Sequence, residues 1–311
     1  MKRMVGASGL EVAPIALGGN VFDWTADEAA SFAVLDKFVD AGGTMIDTAD
    51  VYSAWVPGHK GGESEALIGR WLKRDPSKRD KVVIATKVGF MAGLRPETIA
   101  PTCDASLQRM GIETIDLYYQ HKDDTDTPLA DSLGAFDALR RAGKIRAIGL
   151  SNFEAPRVEE ALGVSIANGF DLPAALQNWY NLVERTKFEG ALQDVALNRG
   201  LSVFPYYSLA NGFLTGKYRS KADLSQSPRG LRNIEYVDSE RGQKVLAALE
   251  EVSAQTGAAM ATVALAWLKV QPGVTAPIAS ATNESQADEL VAALTVDLSP
   301  GQLEQLTFAS N

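Results

Sequence analysis

Asp47, Tyr52, Lys87 and His121 each lie just past a short apolar run, in the segments TMIDTADVY, KVVIATKVG and IDLYYQHKD. Each segment reads as a buried strand that ends in ionisable side chains. Tyr52 and Lys87 are 35 residues apart, and Lys87 and His121 are 34 apart. That is about one strand-plus-helix unit each. Adjacent parallel strands of a closed barrel would gather the four at one rim. A phenol flanked by an ammonium, a carboxylate and an imidazole is a proton donor for a carbonyl oxygen; run backward, it takes the proton of an alcohol. A free phenol titrates near about 10. The Lys87 ammonium is expected to lower that value by stabilising the phenolate. Asp47 would hold Lys87 in place and charged, and a neutral His121 would orient the substrate oxygen.

Taken singly, these residues have plainer readings. Tyr52 alone is a packed loop aromatic, and Asp47 alone is a turn or cap residue. Lys87 is different, because a lysine directly after VVIAT aims its charge at the barrel mouth, where it is costly unless paired. Asp47 is the natural partner. The other histidine, His59, sits in the glycine-rich VPGHKGGE and reads as solvated.

The elements that must position these groups alternate along the chain. Eight apolar runs read as strands: PIALGG, GTMIDT, KVVIATK, TIDLYYQ, KIRAIGLS, PAALQNW, LSVFPYY and VTAPIAS. Helical patterns fall between and after them, near 27–41, 64–73, 96–110, 128–142, 155–168, 186–199, 240–270 and 284–294. Leu129, Leu133, Phe136 and Leu139 recur at helical spacing, with Thr127 as N-cap, Pro128 at the first helical position and Gly143 as terminator. Phe188, Leu192 and Val195 form a second stripe, ended by Gly200.

Nearly continuous apolar strands mean a parallel sheet with covered faces. Eight units in about 250 residues point to an α/β protein of the (β/α)8 TIM-barrel type, a single domain over residues 1–311. A doubly wound sheet is the alternative, disfavoured because no G-x-G-x-x-G follows the first strand. The opening MKRMVGASGLEVAP reads as a β-hairpin turning at Ser8-Gly9, and SPGQLEQLTFAS as an extra C-terminal helix capped by Ser299-Pro300. About 30 residues after strand 7, from Tyr207 onward, form a long Gly-, Ser- and Arg-rich loop, of a length that marks functional or mobile segments.

Composition narrows the partners. Net charge is −9, and no basic cluster exceeds a pair, which argues against nucleic-acid and anionic-membrane partners. One cysteine, Cys103, excludes an internal disulfide and suits a reducing, cytoplasmic setting. The N-terminus has no apolar signal region, and the most apolar window, GAAMATVALAWLKV, is short for a membrane span. No metal site is expected, and oligomeric state is open.

The whole chain resembles the aldo-keto reductases. GGTMIDTADVY, the lysine of ATKVG, the histidine of DLYYQHKDD, IRAIGLSNF, LQNWYNLVER and LANGFLTGKY follow that family's motifs in that family's order. The resemblance implies hydride transfer from a nicotinamide cofactor to a small carbonyl compound, with Tyr52 as general acid, Lys87 and Asp47 tuning it, and His121 orienting the carbonyl. It implies that Ser151, Asn152 and Gln177 hydrogen-bond the carboxamide and that the nicotinamide ring stacks on Tyr206. Gly19, Asn20 and Val21, together with Asp47, would flank the nicotinamide side. The loop carrying Leu209, Asn211, Gly212, Leu214, Gly216 and Lys217 would wrap the pyrophosphate. Phe22, Trp24, Trp55, Phe90 and Trp179 would form an apolar substrate wall.

The adenosine end departs from the pattern. PIASATNESQADEL offers Ser280, Thr282, Asn283 and Gln286 where members specific for NADPH commonly place a lysine or arginine, and Leu290 where an asparagine is frequent. Lys217, Arg229 or Arg232 of the long loop would have to compensate. Tyr207-Ser208 replaces the usual serine–proline after the stacking aromatic. NADP(H) is the favoured cofactor and NAD(H) its competitor. Two other functions stay open: a cofactor-binding regulatory protein with little turnover, and a barrel aldolase using Lys87 as a Schiff base.

Overall fold

The structure, a computed structural model, describes residues 2–311. The chain begins with an antiparallel pair, β1 (Arg3–Met4) and β2 (Glu11–Val12). Gly9, at φ +75°, makes the turn, and Ser8 Oγ donates to the Val5 carbonyl at 2.6 Å. The expected hairpin is therefore present.

Eight parallel strands follow: β3 (Ala16–Gly18), β4 (Met45–Asp47), β5 (Val83–Val88), β6 (Ile115–Gln120), β7 (Ile145–Ser151), β8 (Ala175–Gln177), β9 (Ser202–Val203) and β10 (Ile278–Ala279). Their order around the sheet is β10-β3-β4-β5-β6-β7-β8-β9. Hydrogen bonds join the two ends: Thr275 N–H donates to the Val203 carbonyl and Ile278 N–H to that of Pro205, each at 2.8 Å. The result is the (β/α)8 barrel.

Helices intervene as α1 (Glu28–Asp40), α2 (Glu63–Arg74), α3 (Pro96–Met110), α4 (Leu129–Arg141), α5 (Ala155–Asn168), α6 (Ala191–Arg199), α7 (Ile234–Asp238), α8 (Glu240–Thr256), α9 (Met260–Leu268) and α10 (Glu284–Ala293). The extra C-terminal helix is α11 (Pro300–Ala309), opened by a capping box between Ser299 and Gln302. Among the described residues no helix is long and apolar enough to cross a membrane.

Strand alternation sorts the side chains into two layers. Met45, Val83, Ala85, Leu117, Tyr119, Ala147 and Ala175 share one interior cluster, plugged by Val5, Leu10 and Val12 of the hairpin. Intervening residues such as Ile46, Ile84, Tyr118 and Ile148 pack outward against the helices. Tyr119 fits inside only because its neighbour is Gly149, where a Cβ would stand 2.3 Å from the ring.

Four local expectations are corrected. Helix α4 begins after Pro128, because Thr127 gives its hydroxyl to Asp124 at 2.8 Å instead of capping. Helix α6 begins at Ala191 and not near 186, since Gly190 sits at φ +92°. The 240–270 helix is two, α8 and α9, broken at Gly257 with φ +71°. The long loop is largely ordered into 3₁₀ turns at Ala210–Thr215, Lys221–Gln226 and Gly230–Asn233, followed by α7.

Candidate active site

The alternation that fills the barrel also places the ionisable groups. Counting upward by two from core residues, Met45 leads to Asp47, Ala85 to Lys87, Tyr119 to His121, Gly149 to Ser151 and Ala175 to Gln177. These positions form the top inward layer, at the carboxyl ends of the strands, where barrel active sites form. The ladder pairs Lys87 with Tyr119 and Ser151 with Gln177.

Three of the four residues are in direct contact. Lys87 Nζ donates to Asp47 Oδ2 at 2.7 Å, to the Thr48 carbonyl at 2.7 Å and to the Tyr52 hydroxyl at 3.0 Å. Lys87 and Asp47 are buried, so their charges are exchanged directly and not through water. Tyr52 donates to Asp47 Oδ2 only at 3.4 Å, a length at which a hydroxyl is weakly held. His121 stands beside them, its ring centroid 6.1 Å from that of Tyr52. Its Nδ1 is buried without a partner.

One electrostatic expectation is corrected. Burial and then the Asp47 carboxylate hold the Tyr52 phenol well above its ordinary value, and do not leave it lowered. Lys87 is pulled below the usual lysine range by burial, with Asp47 opposing. His121 is held well below the ordinary histidine value, by burial first and then by Lys87 and Lys122, so it is neutral.

The carboxamide trio is likewise brought together. Ser151 Oγ donates to the Gln177 carbonyl at 2.9 Å, Asn152 Nδ2 to the His121 carbonyl at 2.9 Å, and Gln177 Nε2 to Asp47 Oδ1 at 2.8 Å. Tyr206 donates to Asn152 Oδ1 at 2.7 Å. Gln177 thus links the trio to the acid group.

A cleft of about 1120 Å³ opens over this floor. One group of its lining residues is aromatic: Trp24, Trp55, Phe90 and Trp179, with Met91. Trp24 and Trp55 meet at 5.4 Å, and Phe90 and His121 at 4.9 Å. Another group is polar: Asn20, Asn211, Gly212, Lys217, Ser280, Thr282 and Gln286. Ser280 donates to Asn20 at 2.6 Å and Thr282 to Gln286 at 3.1 Å.

Several expected contacts fall elsewhere. Val21, Phe22 and Leu214 are packed in the core, and Gly19 and Gly216 do not line the cleft. His59, expected to be solvated, is half-buried with Nδ1 shielded and unpartnered. Thr25, Val51, Met91 and Glu289 are among the lining residues not anticipated; only their adjacency to Trp24, Tyr52, Phe90 and Leu290 signalled them.

The lining suits a dinucleotide. Lys217, Arg229 and Arg232 face the cleft, and among the described residues none has a carboxylate within 4 Å. Arg229 is largely buried and stacks over Trp24 at 5.6 Å, and burial lowers its guanidinium from the ordinary value. Lys217 and Arg232 are exposed, but a cation withdrawn from water without an anion, as Arg229 is, is costly unless a ligand supplies the negative charge. Tyr207, Ala210 and Asn211 have φ of +54°, +46° and +54°, and Gly212 follows at +95°. Consecutive residues of this kind turn N–H groups into an anion-binding concavity. The remaining non-glycine residues with such φ, Asp23, Ser53 and Asn152, also lie in loops at this mouth, where strained backbone is expected at a functional site.

A cleft of this kind on the carboxyl rim of a parallel barrel, with an Asp–Lys–Tyr contact at its floor, places the chain among the barrel enzymes. Residues 14–310 match the model of the Aldo/keto reductase family, and the chain belongs to that family. It is an oxidoreductase acting between carbonyl and alcohol. The chain is 31% identical to the uncharacterized oxidoreductase YrpG of Bacillus subtilis (strain 168), over 97% of this chain and 93% of that protein. It is 32% identical to protein tas of Escherichia coli (strain K12), over 96% and 94%. To L-glyceraldehyde 3-phosphate reductase of the same organism it is 31% identical, over 94% and 87%.

Proposed function

We propose that the chain works as one barrel unit over its 311 residues, as a cytoplasmic NADP(H)-dependent carbonyl reductase that accepts NAD(H) less well. The observation that carries the reading is the Lys87 ammonium bonded at once to Asp47 and to the Tyr52 hydroxyl. When bound, the nicotinamide cofactor supplies the hydride. Tyr52 gives its proton to the substrate oxygen, and the ammonium 3.0 Å away takes up the charge left on the phenol. Neutral His121 orients the oxygen, and Asp47 fixes the ammonium. Ser151, Asn152 and Gln177 hold the carboxamide, with Tyr206 beneath the ring. Lys217, Arg229 and Arg232 hold the phosphates, which favours the cofactor carrying the additional phosphate.

The aromatic wall of Trp24, Trp55, Phe90 and Trp179 supports a bulky apolar carbonyl substrate over a phosphorylated triose such as the one named for the Escherichia coli relative. The reading needs no nucleic-acid or membrane partner. A Schiff-base role for Lys87 is disfavoured, because its three donors are engaged and an amine nucleophile needs a free lone pair.

NADPH consumption with an aromatic aldehyde tests the proposal. Tyr52→Phe should lose about 10²–10⁴-fold in kcat, while NADPH binding, read by tryptophan fluorescence, stays unchanged. Full activity in that variant would refute the assignment.

A further inference from the structure

Behind the tetrad, on the helix side of β5 and β6, lies a second set of buried ionisable groups. Glu65 of α2 is fully buried. Arg109 of α3 reaches its Oε2 from Nε at 2.7 Å and from Nη2 at 2.6 Å, and Thr86 donates to Oε1 at 2.6 Å. Asp50 stands beside this pair. Its N–H donates to the Lys87 carbonyl at 3.2 Å, while its Oδ1 is buried without a partner among the described residues. The Tyr118 hydroxyl and both amide atoms of Gln120 are also buried and unpartnered. The charged groups facing Asp50 are Glu65, Arg109 and Lys87, and the Tyr118 phenol shares the enclosure. Glu65 therefore takes the one guanidinium for itself, and Lys87 is the remaining cation near Asp50.

We propose that Asp50 is a positioning residue for the reaction: when ionised it keeps Lys87 protonated, and when neutral it withdraws that support. It acts through its field and not through a bond, because Lys87 Nζ has spent its donors on Asp47, Thr48 and Tyr52. Burial works against the Lys87 charge, and the groups that oppose burial are Asp47, then Asp50 and Glu65. Glu65 is tied to Arg109 by two short bonds. Asp50 has no cation in contact, and burial with Glu65 pushes its carboxyl up to about 7. Asp50 therefore changes charge in the range where an enzyme works.

The kinetic arm of the test rests on the reductase reading; a second arm does not. In the first, kcat/KM for aldehyde reduction is followed against pH in wild type and in Asp50→Asn. Below about pH 6 both proteins carry an uncharged residue 50 and the profiles should coincide. Above that, the alkaline limb of the variant should fall about one pH unit earlier, as Lys87 loses its proton sooner. A merely structural role would lower the whole profile evenly. Alkaline limbs at the same pH overturn the proposal.

The second arm is thermal melting. The Asp50 pKa is raised on folding from the ordinary carboxyl value of about 4, so its contribution to stability is full below that value, is lost between there and about 7, and changes no further above. The melting advantage of Asp50→Asn over wild type should therefore grow across that interval and level off near its upper end. By reciprocity, the levelling-off should move to higher pH when both proteins also carry Lys87→Met. A levelling-off that stays in place overturns the coupling even if no substrate is found. A wild type that reduces no carbonyl compound sinks the reductase reading and leaves this second arm to decide on Asp50.

Discussion

Lys87→Met is the perturbation whose size the structure sets most directly. Asp47 and Lys87 are 1% and 0% exposed, and their charged atoms are 2.7 Å apart. Removing one partner of such a pair leaves the other charge buried and costs about 3–5 kcal/mol. Methionine nearly conserves the side-chain volume, so packing adds little. Asp47 keeps Gln177 Nε2 at 2.8 Å and the Tyr52 hydroxyl at 3.4 Å, which places the cost near the lower end, about 3 kcal/mol. In a chain of this length each kcal/mol moves the midpoint by roughly 2 °C, so a fall of about 6 °C is expected. The assay is thermal melting by circular dichroism at neutral pH, with Asp47→Asn/Lys87→Met measured beside it. The double variant carries no charge at either of these two positions and should recover at least half of the loss. A single variant that melts within a degree of wild type, or a double variant no better than the single, would refute the claim that this buried pair is electrostatically coupled.

Two further outcomes follow from other parts of the cleft. Arg229→Gln/Arg232→Gln should raise the Kd for NADPH by at least about tenfold, since charge-assisted bonds are worth roughly 1.5–3 kcal/mol each. The ligand-free protein should lose little stability, because among the described residues neither arginine has a carboxylate partner within 4 Å and only the Arg229 contact with Trp24 and a long bond from Arg232 to Tyr207 are given up; an unchanged Kd by fluorescence titration would remove both from the cradle. Gly149→Ala would put a Cβ 2.3 Å from the Tyr119 ring and should destabilise by about 1–3 kcal/mol. Tyr119→Leu in the same chain should relieve it, and a single variant with a wild-type melting curve would show that the ring has room to move.

What was legible in the sequence was whatever repeats with strand parity. Asp47, Lys87, His121, Ser151 and Gln177 all stand at inward positions beyond a core residue, so apolar runs of the right length announce them. Phe22 was less legible because loop residues have no parity: a ring after a strand can turn outward to the cleft or back into the core, and Phe22 turns back. The shift on Tyr52 was misjudged for a related reason. A sequence reveals which charges are neighbours, but not how much water is excluded, and here exclusion of water outweighs the ammonium. Arg229 is the converse case. Its residue type was visible, yet only a folded 217–233 segment brings it over Trp24, 205 positions away in sequence.

On the proposed reading, the raised Tyr52 and lowered Lys87 values belong to a site that holds its proton until the substrate needs it. A phenol with a depressed pKa would already be partly ionised at neutral pH and would have less to give. Here the low-dielectric floor keeps the proton on Tyr52, while the 3.4 Å separation from Asp47 leaves that proton weakly engaged. Negative charge growing on a substrate oxygen above the hydroxyl changes the balance, because the phenolate that would form already has the Lys87 ammonium at 3.0 Å. That stabilisation is realised only as the charge develops, which is the condition for an interaction to speed a step and not merely to tighten binding. The same burial that makes the ammonium effective also weakens its hold on its own proton, so Lys87 depends on negative neighbours. Asp47 is the first of them, and it is fixed from the far side by Gln177 at 2.8 Å. On the proposed reading, a residue that holds the cofactor's amide therefore also steadies the charge beside Tyr52, so Gln177→Leu should disturb catalysis beyond any loss of cofactor affinity.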